Sequence, residues 1–463
     1  MKKKILVTIL AASLAFGMLT GCGDAGATDR ESAQTGVNSE VGTDSEGGSD
    51  TESADSETEN SKSTESSEST ENSGSTENSE STESSEESGD SEFVIPEVNI
   101  EPYDIPDTEA FEFVHNMKIG WNLGNTFDAF RESPFADELE SETQWVGIAT
   151  TQEMIDDIRE AGFNSIRIPV TWHPHVDENY QISEVWLNRV QEVVDYAYNN
   201  GMYVILNIHH DNSEGFMYPS TEYLEQSVSY VTSIWQQLAE RFADYDEHLI
   251  FESMNEPRQV GTAWEWSVNG SADCKDAIAC INEINQAFVN TVRATGGNNL
   301  NRYLMIPGYD ASPDGATNAG FVLPTDADGV KDKLIISVHA YTPYNFALQA
   351  DGESGSSSAF DSDTARFTAD INTFMNKLYN KFIKEGIPVV IGEFGSRDKN
   401  QNTQSRIDHA TYYIAAARAR GMSCFWWDNN AFTGNGENFG LYYRHGGYFI
   451  YPEIVDALMK YAD

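Results

Sequence analysis

The 463-residue chain carries 75 acidic against 28 basic side chains, for a formal net charge of −47 and a pI near 4.3. That balance argues against nucleic acid as a partner, because proteins bind phosphates by neutralising them with lysine and arginine. It suits a neutral partner, and the length accommodates one barrel of about 250 residues or more with chain to spare.

The chain opens on Lys2, Lys3 and Lys4, runs through an apolar stretch from Ile5 to Met18, and reaches "LTGC" at 19–22. A basic start, a short apolar segment and small residues describe an export signal, too short for a membrane span. Cys22 resembles the lipobox cysteine of bacterial lipoproteins, whose thiol takes a diacylglyceryl group and becomes the mature N-terminus. The resemblance implies a signal over 1–22 and a lipid anchor to the membrane at Cys22; an ordinary secretory signal is the alternative. No other stretch is a transmembrane candidate.

Residues 23–98 read as a disordered acidic Ser/Thr-rich linker, with near-repeats such as "STESSEST" and "STENSEST". Up to Glu92 it holds 21 acidic side chains against only Arg30 and Lys62, a net −19. With almost no apolar side chains it cannot offset its chain entropy, and self-repulsion extends it. It is expected to be a tether. Among the remaining cysteines, Cys274 and Cys280 are candidates for a small-loop disulfide outside the cell, and Cys424 reads as an inert buried thiol. No Cys/His spacing suggests a metal site, and no cofactor is expected.

From 99 to 463 one pattern repeats: a short apolar run, polar residues at its end, then an amphipathic helix. The runs are "MKIGWNLGN" (117–125), "SIRIPV" (165–170), "YVILNIHH" (203–210) and "LIFESMNEP" (249–257). They continue with "RYLMIPGY" (302–309), "LIISVHAY" (334–341), "PVVIGEFG" (388–395) and "CFWWDN" (424–429). Between them, 150–162 starts on threonine with acid in its first turn and stops on glycine, and 186–201 ends the same way. Further helices fit 221–241, 276–295, 363–385, 403–420 and 452–461. Eight strand–helix units predict a (β/α)8 barrel. An open doubly wound sheet is the alternative, but no GxGxxG or GxxxxGK[ST] loop supports a nucleotide site in one.

In such barrels chemistry sits at the C-terminal strand ends, where this chain's polar residues cluster. Arg167 lies on the second run, His209 and His210 end the third, and Asn255 and Glu256 end the fourth. His339 and Tyr341 end the sixth, Glu393 the seventh, and Trp426 and Trp427 the eighth. One carboxylate at a strand end is ordinarily a helix cap. Two of them among His, Tyr, Arg and Trp are not readily explained as core.

The ordered set "GWNLGNTFDA", "SIRIPVTWH", "LNIHHD", "FESMNEPR", "VHAYTP", "IGEFGS" and "FWWDN" resembles glycoside hydrolase family 5, in its branch of bacterial endoglucanases and xyloglucanases. Two departures are Phe127, where that branch usually has leucine, and the doubled tryptophan at 426–427. The resemblance implies a retaining endo-β-1,4-glucanase acting on cellulose-type, mixed-linkage or xyloglucan chains. Glu393 resembles the nucleophile, with Arg167 and Tyr341 holding it, and Glu256 the acid/base. Asn255 resembles the residue that binds the 2-hydroxyl, and His209 and His339 the imidazoles flanking the cleaved bond. Asn125 and His210 are counted with the substrate-binding residues. Trp427 aligns with the sugar-stacking tryptophan, which leaves Trp426 to the core.

Chemistry supplies the same roles. Two carboxyls about 5 Å apart suit double displacement, one attacking the anomeric carbon while the other protonates the leaving oxygen. The acid then needs a raised pKa and the nucleophile a depressed one. Glu252 reads as a structural carboxylate of the barrel, and His210 and His173 divide between substrate contact and loop hydrogen bonding. Trp121, Trp172 and Trp264 either line the cleft or fill the mouth. A mannanase or xylanase on the same scaffold, and a surface glycan-binding lipoprotein without catalysis, remain as alternatives. The expected setting is extracellular, on a bacterial surface, as a monomer.

Overall fold

The computed structural model describes residues 93–131, 133–434 and 436–463; the export signal, Cys22 and most of the acidic linker lie outside the described residues. All eight apolar runs become strands: β1 (Ile119–Leu123), β2 (Ser165–Ile168), β3 (Tyr203–Asn207) and β4 (Leu249–Glu252). They are followed by β5 (Leu304–Pro307), β6 (Leu334–His339), β7 (Val389–Phe394) and β8 (Ser423–Asp428). Neighbours pair in parallel in chain order and β1 closes on β8, so the sheet is a closed barrel. Seven of the eight strands are shorter than their runs because the polar ends leave the ladder and enter the loops. The expected barrel is the observed one.

Side chains along a strand alternate between the barrel's interior and its helix-facing surface. The lower interior layer is apolar: Ile205, Ile250, Met305, Ile335, Val390 and Phe425 form one buried cluster. Gly120 supplies the gap that Phe425 fills, since a Cβ there would lie 2.1 Å from the ring. Two residues further along the strands the interior turns polar, with Asn122, Arg167, Asn207, Glu252 and Ser337 all fully buried. The helix Glu109–Asn116, which the sequence reading did not anticipate, closes the apolar end by adding Ala110, Phe113 and Val114 to the lower cluster.

Outside the sheet, helices cover the strands, among them Gln152–Glu160, Glu184–Tyr198, Leu224–Arg241, Ala272–Ala294, Ala365–Lys381, Thr403–Arg418 and Pro452–Met459. Thr151 caps the first by accepting from the Met154 N–H, and Gly162 ends it at φ +107°. The unit after β5 keeps only the short helix Pro313–Thr317. There Gly315 packs so close to Tyr309 that a Cβ would fall 2.0 Å from its carbonyl oxygen.

Two expectations are corrected. The linker does not run to 98: Val94 exchanges hydrogen bonds with Gln404, the Val98 N–H donates to Tyr461, and Ile95 and Val98 pack on the core. The β-branched residues from 94 onward supply the apolar surface that the Ser/Thr/Glu stretch lacks. Cys274 and Cys280 do not pair; both are free and buried on the helix Ala272–Ala294. Six residues of helix separate their Cα atoms by about 9 Å along the axis, beyond disulfide reach. Cys424 is buried, and burial pushes its thiol up, as expected of an inert one.

The strand register resolves the tryptophan pair. Trp426 pairs with Trp121 and Trp427 with Asn122, so Trp427 shares the interior with Asn122 while Trp426 faces the helices. Trp426 is fully buried, packs edge-on against Phe394 and donates from Nε1 to the Phe439 carbonyl at 3.0 Å. Trp426→Ala is therefore expected to cost about 3–5 kcal/mol in urea unfolding. A loss below about 1 kcal/mol would contradict this packing.

Candidate active site

At the polar layer one guanidinium gathers four strands. Arg167 donates from Nε to Glu252 at 2.7 Å, and from one terminal nitrogen to Asn122 at 3.0 Å and Glu393 at 2.7 Å. Its other terminal nitrogen donates to Asn255 Oδ1 at 2.7 Å. Glu252 also accepts from Asn207 and from Ser337, which confirms it as a structural carboxylate held below the mouth. Burial lowers the basicity of Arg167, but Glu252 and Glu393 more than reverse that, so it stays charged.

Above this layer the strand ends converge. Tyr341 donates to Glu393 Oε2 at 2.9 Å, while His339 Nδ1 lies 2.9 Å from Glu256 Oε1 and 3.6 Å from Glu393 Oε1. A carboxylate oxygen of Glu256, a nitrogen of His339 and a carboxylate oxygen of Glu393 all lie within 4.8 Å of one another. Irregular register between Val338 and His339 on β6, and between Ile391 and Phe394 on β7, sets the aim of both side chains. Gly392, between them, sits against His339.

Burial pushes the Glu256 carboxyl up, but the His339 hydrogen bond and charge, followed by Arg258 and His210, outweigh it and hold it at about 2. For Glu393 burial prevails over His339 and Arg167, and repulsion from Glu256 adds to it, so its carboxyl is raised. Burial lowers His339, yet Glu393 and the bond to Glu256 leave it raised. This reverses the order expected from the sequence. His339 lies within reach of both carboxyls, so the three groups titrate as one coupled cluster rather than singly. When His339 is protonated, transfer of its proton along the 2.9 Å hydrogen bond turns Glu256 into the carboxylic acid with no change in the cluster's charge.

His209 is buried and neutral, its pKa driven down by burial and then by His210 and Arg167. Asn207 Oδ1 accepts from the Val170 N–H, so its Nδ2 faces His209 Nδ1 at 3.1 Å. That assignment leaves the His209 proton on Nε2, a donor with no lone pair for a metal ion. Its ring lies parallel to Trp427, centroids 5.9 Å apart. A Cβ on Gly124 would come 2.8 Å from Trp427, so glycine there makes room for the indole.

The structure brings Arg167, Asn255, Glu256, His339, Tyr341 and Glu393 into one contact network, with His209 and Trp427 beside it. Asn125 turns at φ 59° just past β1, half-buried at the mouth. His210 is partly exposed, whereas His173 bonds to Asp211 in its loop. Trp121 and Trp172 are buried, donating to Asp428 and to the Asn207 carbonyl; Trp264 is half-buried and donates to Gln259. Phe127 packs edge-on against Trp186 in the core, so that departure from the family wording does not touch the cleft. Sequence reasoning missed Asn122 and Asn207. The available signal was an amide inside an apolar run, in "GWNLGN" and "YVILNIHH".

Comparison with known proteins agrees with this geometry. The family model for cellulase (glycosyl hydrolase family 5) matches residues 130–433. Endoglucanase B of Ruminococcus albus is 45% identical over 360 residues, covering 77% of this chain and 81% of the relative. The cellulase/esterase CelE of Acetivibrio thermocellus is 42% identical over 77% of this chain, which spans 41% of that longer protein. The chain likewise spans 65% of Endoglucanase A of Clostridium longisporum, at 44% identity over 76% of its own length. Among solved structures, a family 5 lichenase from Caldicellulosiruptor sp. F32 superposes with a TM-score of 0.79 at 57% identity, covering 80% of this chain and all of that one. A broad-specificity endoglucanase from Ruminococcus champanellensis with bound cellotriose gives 0.70 at 44% identity, over 77% of this chain and all of that one. An eight-stranded barrel with two glutamates at the ends of β4 and β7, matched by this family along most of its length, belongs to glycosyl hydrolase family 5.

Proposed function

We propose that the chain is a retaining endo-β-1,4-glucanase, held outside the cell as a monomer by a lipid on Cys22. The observation that carries the mechanism is the approach of Glu256 and Glu393 within 4.8 Å. Inverting glycosidases separate their carboxyls by about 6.5–9.5 Å to seat a water, whereas retaining ones need about 5 Å. Glu393 attacks the anomeric carbon as the bond to the leaving oxygen breaks, and Glu256 delivers a proton to that oxygen. Water, deprotonated by Glu256, then releases the glycosyl group from Glu393.

The hydrogen-bond directions support the remaining roles. Asn255 Oδ1 is occupied by Arg167, so its amide N–H groups are left to donate to the sugar 2-hydroxyl. Tyr341 and Arg167 hold both oxygens of Glu393 for in-line attack. Trp427 offers an indole face to the C–H surface of the sugar, a contact that needs no charge and fits a neutral polymer. Similarity to a lichenase and to broad-specificity endoglucanases supports cellulose-type and mixed-linkage glucans as substrates.

Removing each glutamate separates the roles. Glu393→Ala is expected to lose at least about 10⁴-fold in kcat on every glucan, while Glu256→Ala fails on glucan but still reacts with dinitrophenyl β-cellobioside, whose phenolate leaves unaided. Azide then gives a β-glycosyl azide from Glu256→Ala and the α-azide from Glu393→Ala. NMR of the products decides; α-azide from Glu256→Ala would mean the roles are exchanged.

The anchor is tested separately. Full-length protein is expected to partition with membranes and Cys22→Ser to release it. Removal of residues 1–92 is expected to leave kcat/KM on soluble glucan within about twofold, since none of the site residues lies there. Loss of most activity on truncation would give the segment a role beyond tethering.

A further inference from the structure

The end of β5 carries a carboxyl that the double displacement leaves unused. Asp310 follows the strand in "PGYDASP" (307–313), where the chain turns sharply. Asp310 and Ala311 are both left-handed, at φ 59° and 44°, a conformation that aspartate tolerates and alanine resists. Strain of that kind is kept only where the surroundings impose it. Here they do: a Cβ on Gly308 would lie 2.6 Å from the Ala316 nitrogen, and the Tyr309 hydroxyl donates to the Trp264 carbonyl at 3.1 Å. The Asp310 N–H donates to the Pro257 carbonyl at 2.9 Å, which ties the turn to the residue directly after Glu256.

The side chain is poorly provided for. Asp310 Oδ1 is closed off from solvent with no hydrogen-bond partner among the described residues, although the residue as a whole is half-buried. Arg258, the cation that acts on it, is already committed. Its Nε donates to Glu265 at 3.2 Å and one terminal nitrogen to the Glu256 carbonyl at 3.0 Å, with Glu256 Oε2 at 3.5 Å. Three carboxyls, those of Glu256, Glu265 and Asp310, thus depend on a single guanidinium. Glu256 also meets His339, with His210 and Glu393 further round the same cluster. Burial, followed by repulsion from Glu256, raises the Asp310 carboxyl well above its ordinary range; Arg258 opposes the rise and Glu265 adds to it.

We infer that Asp310 is a positioning residue for the acid/base, a second carboxyl that competes with Glu256 for Arg258 and sets the pH above which Glu256 no longer delivers a proton. The inference rests on the endoglucanase reading above and extends it. Carboxyls that share one cation lose their protons in separated steps, because the first charge repels the second. A negative charge on Asp310 therefore makes Glu256 hold its proton more tightly, and the acid survives to higher pH. Asp310 touches no reacting atom and acts through Glu256. The same burial weakens the fold. A carboxyl raised in the folded state contributes stability that is fully present below its unfolded value, near 3.8, and lost as pH rises through the folded one.

Asp310→Asn tests this, since asparagine suits a left-handed φ and keeps the shape while removing the charge. On a soluble mixed-linkage glucan, whose cleavage needs the acid, the basic limb of kcat/KM is expected to move down by about 0.5–1 pH unit. On dinitrophenyl β-cellobioside, whose phenolate leaves without a proton, the basic limb is expected to stay where it is in the unmodified enzyme. Thermal unfolding gives a second readout: the variant is expected to melt higher at pH 7, with the gap closing towards pH 4. A gap that opens with pH while both basic limbs stay put would make Asp310 a structural carboxyl and overturn the inference. An equal shift on both substrates would place the effect away from Glu256 and overturn it as well. Either result leaves the endoglucanase reading intact, whereas failure of the unmodified enzyme to cleave glucan would overturn both.

Discussion

Everything at the mouth of this barrel depends on Arg167. A guanidinium removed from water costs several kcal/mol unless its charge is paired and its donors are used. Here the fork reaches acceptors on or just beyond β1, β4 and β7 from its own place on β2. Glu252 alone would neutralise it, and the addition of Glu393 leaves the group with an excess negative charge. Tyr341 and His339, both on the β6 end, face that excess. Lysine offers the same charge but not the planar fork, so it would not hold four acceptors in fixed directions. The polar interior layer is therefore one network, and Glu393 is the part of it that faces the cleft.

The same network explains why a proton is shared. Glu256 and Glu393 are close enough that two full charges repel, and His339 sits between them with its Nδ1 nearer Glu256. Contact with both carboxyls favours the protonated imidazole, and the bond to His339 in turn favours the ionised form of Glu256. The leaving-group oxygen competes for Glu256, and the short bond to His339 keeps the proton one transfer away. Raising the acid's own pKa is thus not the only way to supply a proton at neutral pH; a neighbouring imidazole can store it.

Much of this was legible in the residues. Eight apolar runs ending in polar groups, with amphipathic helices between them, specify the barrel through alternation and length alone. Glu256 and Glu393 stood out because carboxylates at the ends of core strands need a reason. What stayed hidden depended on register and on contacts between distant segments. Nothing in "CFWWD" says which indole turns inward until Trp427 is paired with Asn122. The helix Glu109–Asn116 looks unremarkable in the sequence, because its partners, such as Ile205, Ile250 and Phe425, come from later strands. The spacing of Cys274 and Cys280 suggested a loop, yet the segment continues a helix whose apolar face buries both. The protonation order of the glutamates required the position of His339, which no single run contains.

The central claim is that Glu393, held by Arg167 and Tyr341, attacks the sugar and carries it covalently. The most direct measurement uses the dinitrophenyl 2-deoxy-2-fluoro-β-cellobioside, whose fluorine slows both steps while the good leaving group lets the first proceed. Mass spectrometry of the inactivated protein and its peptic fragments is predicted to show one cellobiosyl adduct, located on Glu393. An adduct on Glu256, or steady turnover with no covalent species and an inverted product, would contradict the account.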